Sequence, residues 1–364
     1  MKKRVLACTA VVLALAMPAG VFAAQMTPEE LYQKTQEANA SMTQLSCKAK
    51  GNADLTVSIG TGDAATQIPV KGTMDVSIQM QTDPYKAEIT ASMAGDAMGQ
   101  SGDLDCRMYM ITGDDSTGMI YMNMTGAGQD TGWVSVPMDA ATVSEIQASM
   151  EATKSGNYDS LSKETGIDLK ALQDKLLEDA QVSSETVEVS GKDCCELTET
   201  VKGETLADIF SQILQSDSFK AQMESQMKAQ GTAEDAGESE IEMISQAAGI
   251  VLSGVKMDIR EDYDAQSFKA VHSEMDLSGS DFSSIAQMIA SYADASSSSL
   301  QTEGETEPAA AQISVDVSAL NLAIDYDYDT PVSITVPEEA LNARPAESML
   351  STEAEFATES QTEA

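Results

Sequence analysis

The chain has 364 residues, a formal net charge of −38 and only 4% aromatic residues. A surface of this charge repels phosphate groups, which excludes nucleic acid as a partner and disfavours binding to anionic membranes. The only histidine is His272, and the sequence contains no CxxC pair, no Gly-x-Ser-x-Gly elbow, no His-Glu-x-x-His pair and no phosphate loop. We therefore expect no catalytic residues, no metal site and no cofactor, and we expect the protein not to be an enzyme.

The first 23 residues have the three parts of a bacterial secretory signal peptide in the usual order. Residues 2–4 are basic, Val5–Met17 are apolar or small, and small residues precede a cleavage site between Ala23 and Ala24. The apolar run suits a signal peptide but is too short to span a bilayer. The sequence predicts an extracytoplasmic, secreted protein that is cleaved near Ala23/Ala24, with cleavage one residue later as the alternative.

Cys8 lies before the apolar core of this signal, whereas the cysteine of a lipoprotein signal follows the core. The chain therefore has no usable lipobox, and we expect no lipid anchor. No later segment approaches the roughly 18 apolar residues that a transmembrane helix requires. We predict a mature protein without a transmembrane helix and without stable membrane insertion.

The mature chain begins with a predicted helix and continues into a block of strands. Thr27, Pro28 and Glu30 form an N-terminal capping pattern, and apolar residues recur at helical spacing as far as Leu45. From residue 55 to residue 136 apolar and polar residues alternate, which is typical of antiparallel strands with one apolar face. The apolar positions that we expect to line a ligand are Met74, Val76, Ile78, Met80, Ile89, Met93, Met108, Met110, Met122 and Met124.

Helices and a second group of strands follow. Asp139 and Asp168 are predicted to cap helices, a strand-like stretch spans 182–200, and longer helices are predicted over 206–227 and 241–252. In the predicted hairpin over 255–277, two short motifs match motifs of the first strand block at a constant offset of 183 residues. This repeat is compatible with two related halves of one domain, or with a chance likeness of amphipathic strands.

Composition separates the domain from its predicted disordered parts. Residues 295–311 and 344–364 are rich in Ser, Thr, Glu and Ala, and we predict a disordered loop and a disordered acidic tail there. Alternating apolar residues over 313–324 and 332–337 predict further strands. We therefore predict a single α+β domain over residues 24–343.

The segment over residues 326–340 reads Tyr-Asp-Tyr-Asp-Thr-Pro-Val-Ser-Ile-Thr-Val-Pro-Glu-Glu-Ala, and it closes a layout of one helix, long hairpins and further helices. This layout, behind an export signal, resembles the bacterial LolA/LppX-type lipoprotein superfamily over residues 27–343, and in particular its poorly characterised secreted LolA-like members. The resemblance implies a strongly curved antiparallel β-sheet, or half-open barrel, whose concave face is covered by helices. In the better-known relatives that concavity holds lipid or acyl chains.

Methionine is the most unusual feature of the composition, with 22 residues, many of them on the alternating faces of the strands. Flexible thioether side chains could line a cavity that adapts to apolar ligands. They could also capture Cu(I), which prefers soft ligands, or they could fill an ordinary core. All three interpretations fit the pattern.

Four cysteines follow the signal peptide. Cys47 and Cys106 could form a disulfide between two predicted strands, whereas a bond between the adjacent Cys194 and Cys195 would close a strained ring. Four reduced, partly buried thiols are the alternative. The sequence does not decide between them.

The function that these features favour is that of an exported, non-enzymatic carrier or binding protein for an apolar, lipid-like ligand held in the concavity of the curved sheet. The alternative is an extracellular structural or protein-interaction module that has a filled core and acts through its acidic surface.

Overall fold

A computed structural model describes residues 26–60, 65–113, 117–126, 128–156, 159, 162, 167–216, 219–220, 245, 247–284 and 313–346. The predicted signal peptide, the predicted loop at 295–311 and residues 347–364 lie outside these ranges. Within them the chain forms one large curved antiparallel sheet with a few helices, so the predicted α+β half-open barrel is confirmed.

Thirteen strands make up this sheet. They are β1 Gln44–Ile59, β2 Thr66–Thr82, β3 Tyr85–Ala97, β4 Gln100–Thr112, β5 Gly118–Gly126, β6 Gln129–Asp130, β7 Val134–Met138, β8 Gln181–Val189, β9 Lys192–Lys202, β10 Lys256–Asp264, β11 Ala270–Asp276, β12 Ile313–Asp327 and β13 Arg344–Pro345. Their order is β13-β7-β5-β4-β3-β2-β1-β12-β11-β10-β9-β8, with β6 paired to β5. All pairs are antiparallel except β13 with β7. The sheet is not closed, because β8 at one end and β13 at the other do not pair with each other.

Five helices with defined bounds accompany the sheet in the described ranges. They are α1 Pro28–Asn39, α2 Ala140–Ser155, α3 Leu169–Leu176, α4 Gly203–Gln215 and α5 Glu338–Leu341. Asp139 and Asp168 cap α2 and α3 as predicted, since each carboxylate accepts a hydrogen bond from a backbone N–H three residues later, at 2.9 Å.

Helix α1 begins as predicted and ends early. The side chain of Thr27 accepts from the backbone N–H of Glu30, and the Glu30 carboxylate accepts from the N–H of Thr27, which completes the capping box. The helix stops at Asn39, although the apolar spacing continues to Leu45. Residues from Gln44 onward instead join β1, whose ladders with β2 and β12 satisfy more backbone groups than another helical turn would.

Helices α1 and α2 pack against one face of the sheet, which we call the inner face. On one side of β1, Val143 and Ile146 of α2 contact Leu45, Met80 and Met110 in a cluster of buried residues. Because strand residues alternate between faces, the inner face of each strand is fixed by these contacts together with the strand register.

The other side of the inner face packs against α1. Leu31 is fully buried there and contacts Leu197 of β9 and Tyr263 of β10. The hydroxyl of Thr35, one helical turn later, donates to the backbone carbonyl of Phe268 at 3.1 Å. Helix α1 therefore covers this part of the sheet through the apolar contacts of Leu31 and the hydrogen bond of Thr35.

The opposite, outer face is crossed by residues 328–337, which we call the strap. Val332 and Ile334 are buried against Tyr109 of β4, while the residues between them are exposed. The strand predicted over 332–337 is thus extended but does not join the sheet. Its alternation reflects packing on top of the sheet, and alternation alone does not distinguish this from pairing at an edge.

Two glutamine side chains hold the strap in place of a neighbouring strand. Gln44 and Gln81 are direct partners on β1 and β2. The Gln81 amide donates to the carbonyl of Val332 at 2.7 Å. The Gln44 amide accepts from the N–H of Val332 at 3.1 Å and donates to the carbonyl of Thr330 at 3.1 Å.

Replacing Gln44 by alanine is expected to lower the free energy of unfolding by about 2 kcal/mol, because several backbone groups lose their partner. Urea denaturation measures this, with the exposed Gln67→Ala on β2 as the matched control; equal stabilities would contradict the assignment.

The ordered part of the domain extends slightly beyond its predicted end at residue 343. Arg344, which we placed in the disordered tail, begins β13 and donates from its backbone N–H to the carbonyl of Trp133 at 3.1 Å. Its guanidinium donates to the carbonyl of Thr131 at 2.8 Å. The first residues after 343 are therefore ordered, because β7 offers a free edge to pair with. The division into two related halves stays a prediction.

Candidate functional site

The structure brings the ten predicted lining residues together on the inner face of β2–β5. They fall into four rows that cross these strands, because the strand register places them in line, with other small or apolar residues between them. From the first row to the fourth, the members are Met80–Ala87–Met110–Ile120, Ile78–Ile89–Met108–Met122, Val76–Ala91–Cys106–Met124 and Met74–Met93–Leu104–Gly126. The sequence therefore predicted the shared face correctly, and the ligand-lining role itself remains a proposal.

The cover over these rows decreases from the first to the fourth. Met80 and Met110 of the first row are buried under α2. In the third row Val76 and Met124 are half-buried, and in the fourth row Met93 is 40% exposed. We call the third and fourth rows, with their continuation on β1, the trough. In the described part of the chain, the trough is the section of this apolar face that the core clusters do not bury.

Small residues line the part of the trough that lies on β1. Ala49 continues the third row and Gly51 the fourth row. A β-carbon added at Gly51 would lie 3.4 Å from the terminal methyl of Met74, so glycine lets this methionine lie across the strand. The methionine side chains beside these small residues are long and flexible, so they can repack.

The second half of the inner face contains two carboxylates. Glu199 of β9 and Glu261 of β10 point to this face and occupy diagonal positions, since Glu199 pairs with Ile259 and Glu261 pairs with Leu197. Burial, followed by the nearby Glu261 and Asp179, raises the pKa of Glu199 to about 8. Burial is also the main cause that raises the pKa of Glu261 to about 7, against a hydrogen bond that Tyr263 donates to it. No sequence pattern predicted this pair, because carboxylates are abundant throughout the chain.

The outer face of the same strands carries a polar groove of about 520 Å³. Its centre is Arg260, whose guanidinium lies 3.0 Å from a Glu196 oxygen, 2.9 Å from the fully buried Asp262 and 3.9 Å from Glu274. None of the ten predicted lining residues borders this groove. Alternating acidic positions on β10 and β11 are the sequence signal that could have indicated it.

Of the two alternatives that the sequence left open for the cysteines, the structure has the reduced thiols and not a disulfide between Cys47 and Cys106. Cys47 lies on β1 and Cys106 on β4, with β2 and β3 between them. Three strand spacings of about 4.8 Å separate the two chains, whereas a disulfide needs α-carbons within about 7 Å. Cys47, Cys106, Cys194 and Cys195 are all free thiols, and the last two are buried.

His272 and Asp327 both have structural partners. His272 lies on β11, where its Nδ1 is 2.7 Å from a carboxylate oxygen of Asp325 on β12. The carboxylate of Asp327 accepts hydrogen bonds from the backbone N–H groups of Asp329 and Thr330, both at 2.9 Å, and so forms a turn. In the described ranges, no three His, Cys, Asp or Glu side chains converge as a metal site would require.

Comparisons with known proteins add little to this geometry. No protein-family model and no curated protein sequence matches the chain. Among solved structures, the crystal structure of LprF from Mycobacterium bovis is similar with 8% identity and a TM-score of 0.28, over 85% of this chain and 94% of that chain. No helix in the described ranges is long and apolar enough to cross a membrane.

Proposed function

We propose that this protein is an exported, non-enzymatic carrier or binding protein that holds an apolar, lipid-like ligand in the trough. The observation that carries the proposal is the open end of a continuous apolar face. Met74 and Met93 are direct partners there, and Met93 is 40% exposed although its whole row is apolar.

An exposed apolar surface of this kind has a physical cost that a ligand would remove. Burying apolar surface contributes about 25 cal/mol per Å², or about 0.8 kcal/mol for each methylene group of an acyl chain. Contiguous apolar patches on soluble proteins commonly mark binding sites for this reason. Methionine suits a ligand of variable shape, because its unbranched side chain can adopt many rotamers at little cost.

Export belongs to the same proposal. The predicted signal peptide over residues 1–23 would deliver the chain across the cytoplasmic membrane without a lipid anchor. A strongly acidic surface would then keep the free carrier soluble and away from anionic headgroups. A released carrier of this kind would exchange its ligand by diffusion.

The proposal is tested with a matched pair of double variants. Met74→Gln/Met93→Gln changes two direct partners in the trough, whereas Thr73→Gln/Ala94→Gln changes the adjacent pair on the outer face of the same strands. In titrations with a fluorescent long-chain fatty acid, we expect the trough variant to bind at least about tenfold more weakly, because polar amides replace apolar contacts worth 1–2 kcal/mol. The outer-face variant is expected to bind like the wild type.

Native mass spectrometry of protein purified from its own host gives a second measurement. We expect a co-purifying lipid on the wild type and on the outer-face variant, and less of it on the trough variant. Wild-type protein that carries no lipid and binds no fatty acid would contradict the proposal, as would equal binding by the two variants.

A second candidate function is a protein-interaction module that acts through its acidic surface. The acidic groove around Arg260 favours it, because Asp258, Glu274 and Asp276 also line that groove. This function predicts lipid-free protein that binds a basic partner more weakly as salt concentration rises. The lipid measurements above therefore separate the two candidates.

A further inference from the structure

Four sulfur-containing side chains form two adjoining cross-strand pairs on the inner face of β4 and β5. Cys106 is the direct partner of Met124, and Met108 is the direct partner of Met122. Direct partners in an antiparallel pair have β-carbons about 5 Å apart, and diagonal neighbours about 7 Å apart. All four side chains therefore project from one small patch, which we call the sulfur cluster.

A fifth sulfur lies at the border of this patch. Met93 on β3 is diagonal to Cys106, because Cys106 pairs with Ala91 and Met93 pairs with Leu104. The cluster members are half-buried and Met93 is 40% exposed, so the sulfur atoms are within reach of an ion in solvent. The methionines of the first row differ, since Met80 and Met110 are buried in the core.

The described neighbours of Cys106 and Met108 along the sheet offer no hard ligand on the same face. The neighbours of Cys106 and Met108 on β3 are Ala91 and Ile89, and the next inner-face residue of β4 is Leu104. Thiolate and thioether ligands prefer soft ions such as Cu(I), whereas carboxylates and carbonyls suit calcium and magnesium. A patch that offers sulfur alone therefore discriminates strongly between these ions.

We propose that the sulfur cluster is a Cu(I) site, in which the Cys106 thiolate and the thioethers of Met124, Met122 and Met108 supply the ligands. Binding forms Cu–S bonds and breaks the S–H bond of Cys106, whose proton passes to solvent. Copper stays in the Cu(I) state throughout, so no electron is transferred. The methionines can converge on one ion because each has three side-chain torsions with which to adjust.

The experiment is an anaerobic titration of the full chain with Cu(I) in competition with a chromophoric Cu(I) chelator. We expect the wild type to withdraw one equivalent from the chelator. Cys106→Ser is expected to weaken binding at least about 100-fold, and Met124→Leu/Met122→Leu about tenfold, since the variants remove the thiolate or two of three thioethers. Circular dichroism confirms that each variant is folded.

Cys47→Ser is the matched control. Cys47 lies on the same inner face, but its direct partners are Ile78 and Tyr326, so this thiol has no methionine opposite it. We expect its affinity for copper to equal that of the wild type, and X-ray absorption of the copper-loaded protein to show a sulfur-only shell. Failure of the wild type to compete, unchanged binding by Cys106→Ser, or a shell of nitrogen and oxygen would overturn the proposal. The lipid test changes Met74 and Met93 and leaves the four ligands intact, so either proposal can fail alone.

Discussion

Replacing Leu31 by alanine is expected to lower the free energy of unfolding by about 3 kcal/mol. Leu31 is fully buried, and it is the residue through which α1 enters the cluster around Leu197 and Tyr263. The substitution removes three carbon atoms of the side chain and leaves a cavity between a helix and a sheet that do not close together easily. The Thr35 hydroxyl bond to Phe268 remains and keeps the helix near its place, so the cavity should persist.

Urea denaturation followed by circular dichroism measures this change. Gln33→Ala is the matched control, because Gln33 is exposed on the same helix and alanine has a high helix propensity. We expect the control to change stability by less than about 0.5 kcal/mol. A loss below about 1 kcal/mol for Leu31→Ala would show that α1 does not stabilise the sheet through this contact.

Raising the pH from 5 to 8 is expected to destabilise the protein by as much as roughly 6 kcal/mol through Glu199 and Glu261. In the unfolded chain these carboxyls lose their protons near their ordinary value of 4.5, whereas in the folded protein their pKa values are about 8 and about 7. Between pH 4.5 and 8 the folded state therefore binds more protons than the unfolded state. Stability is then highest at low pH within this window and decreases as the pH approaches 8.

The double variant Glu199→Gln/Glu261→Gln should remove most of this dependence. Glutamine keeps an oxygen that can accept the hydrogen bond from Tyr263, but it carries no charge at any pH. The control is Glu188→Gln on β8, where the carboxylate is exposed. Thermal unfolding from pH 5 to 8 compares the three proteins, and an equal slope for wild type and double variant would disprove the assignment to the inner-face pair.

The start of α1 illustrates what local chemistry decides. The capping box of Thr27 and Glu30 was predictable, because its hydrogen bonds join residues three positions apart. The end of the same helix was not predictable, because Gln44 and Leu45 follow a helical pattern and a strand pattern equally well. Pairing with β2 and β12, which are distant in the sequence, decided that Leu45 belongs to a strand.

The candidate site shows the same division. Alternation of apolar residues was enough to place Met74, Met93 and their neighbours on one face of the sheet, because side chains on a strand point to opposite faces in turn. Alternation does not give the strand order, so the sequence could not exclude a disulfide between Cys47 and Cys106, although two strands lie between them. Alternation also does not predict how deeply the helices bury each residue of this face, and this burial distinguishes the buried Met80 from the exposed Met93.

The sequence by itself therefore determined the local properties of this protein: its acidic surface, its helix caps, its amphipathic strands and the residues that share the apolar face. Only the tertiary structure decided which strands are neighbours, which part of that face the helices leave open, and that Cys106 lies opposite Met124. The physical reason is the separation along the sequence of the residues that interact. Caps and alternation depend on residues within a few positions, whereas strand pairing and cover depend on contacts between residues far apart in the chain.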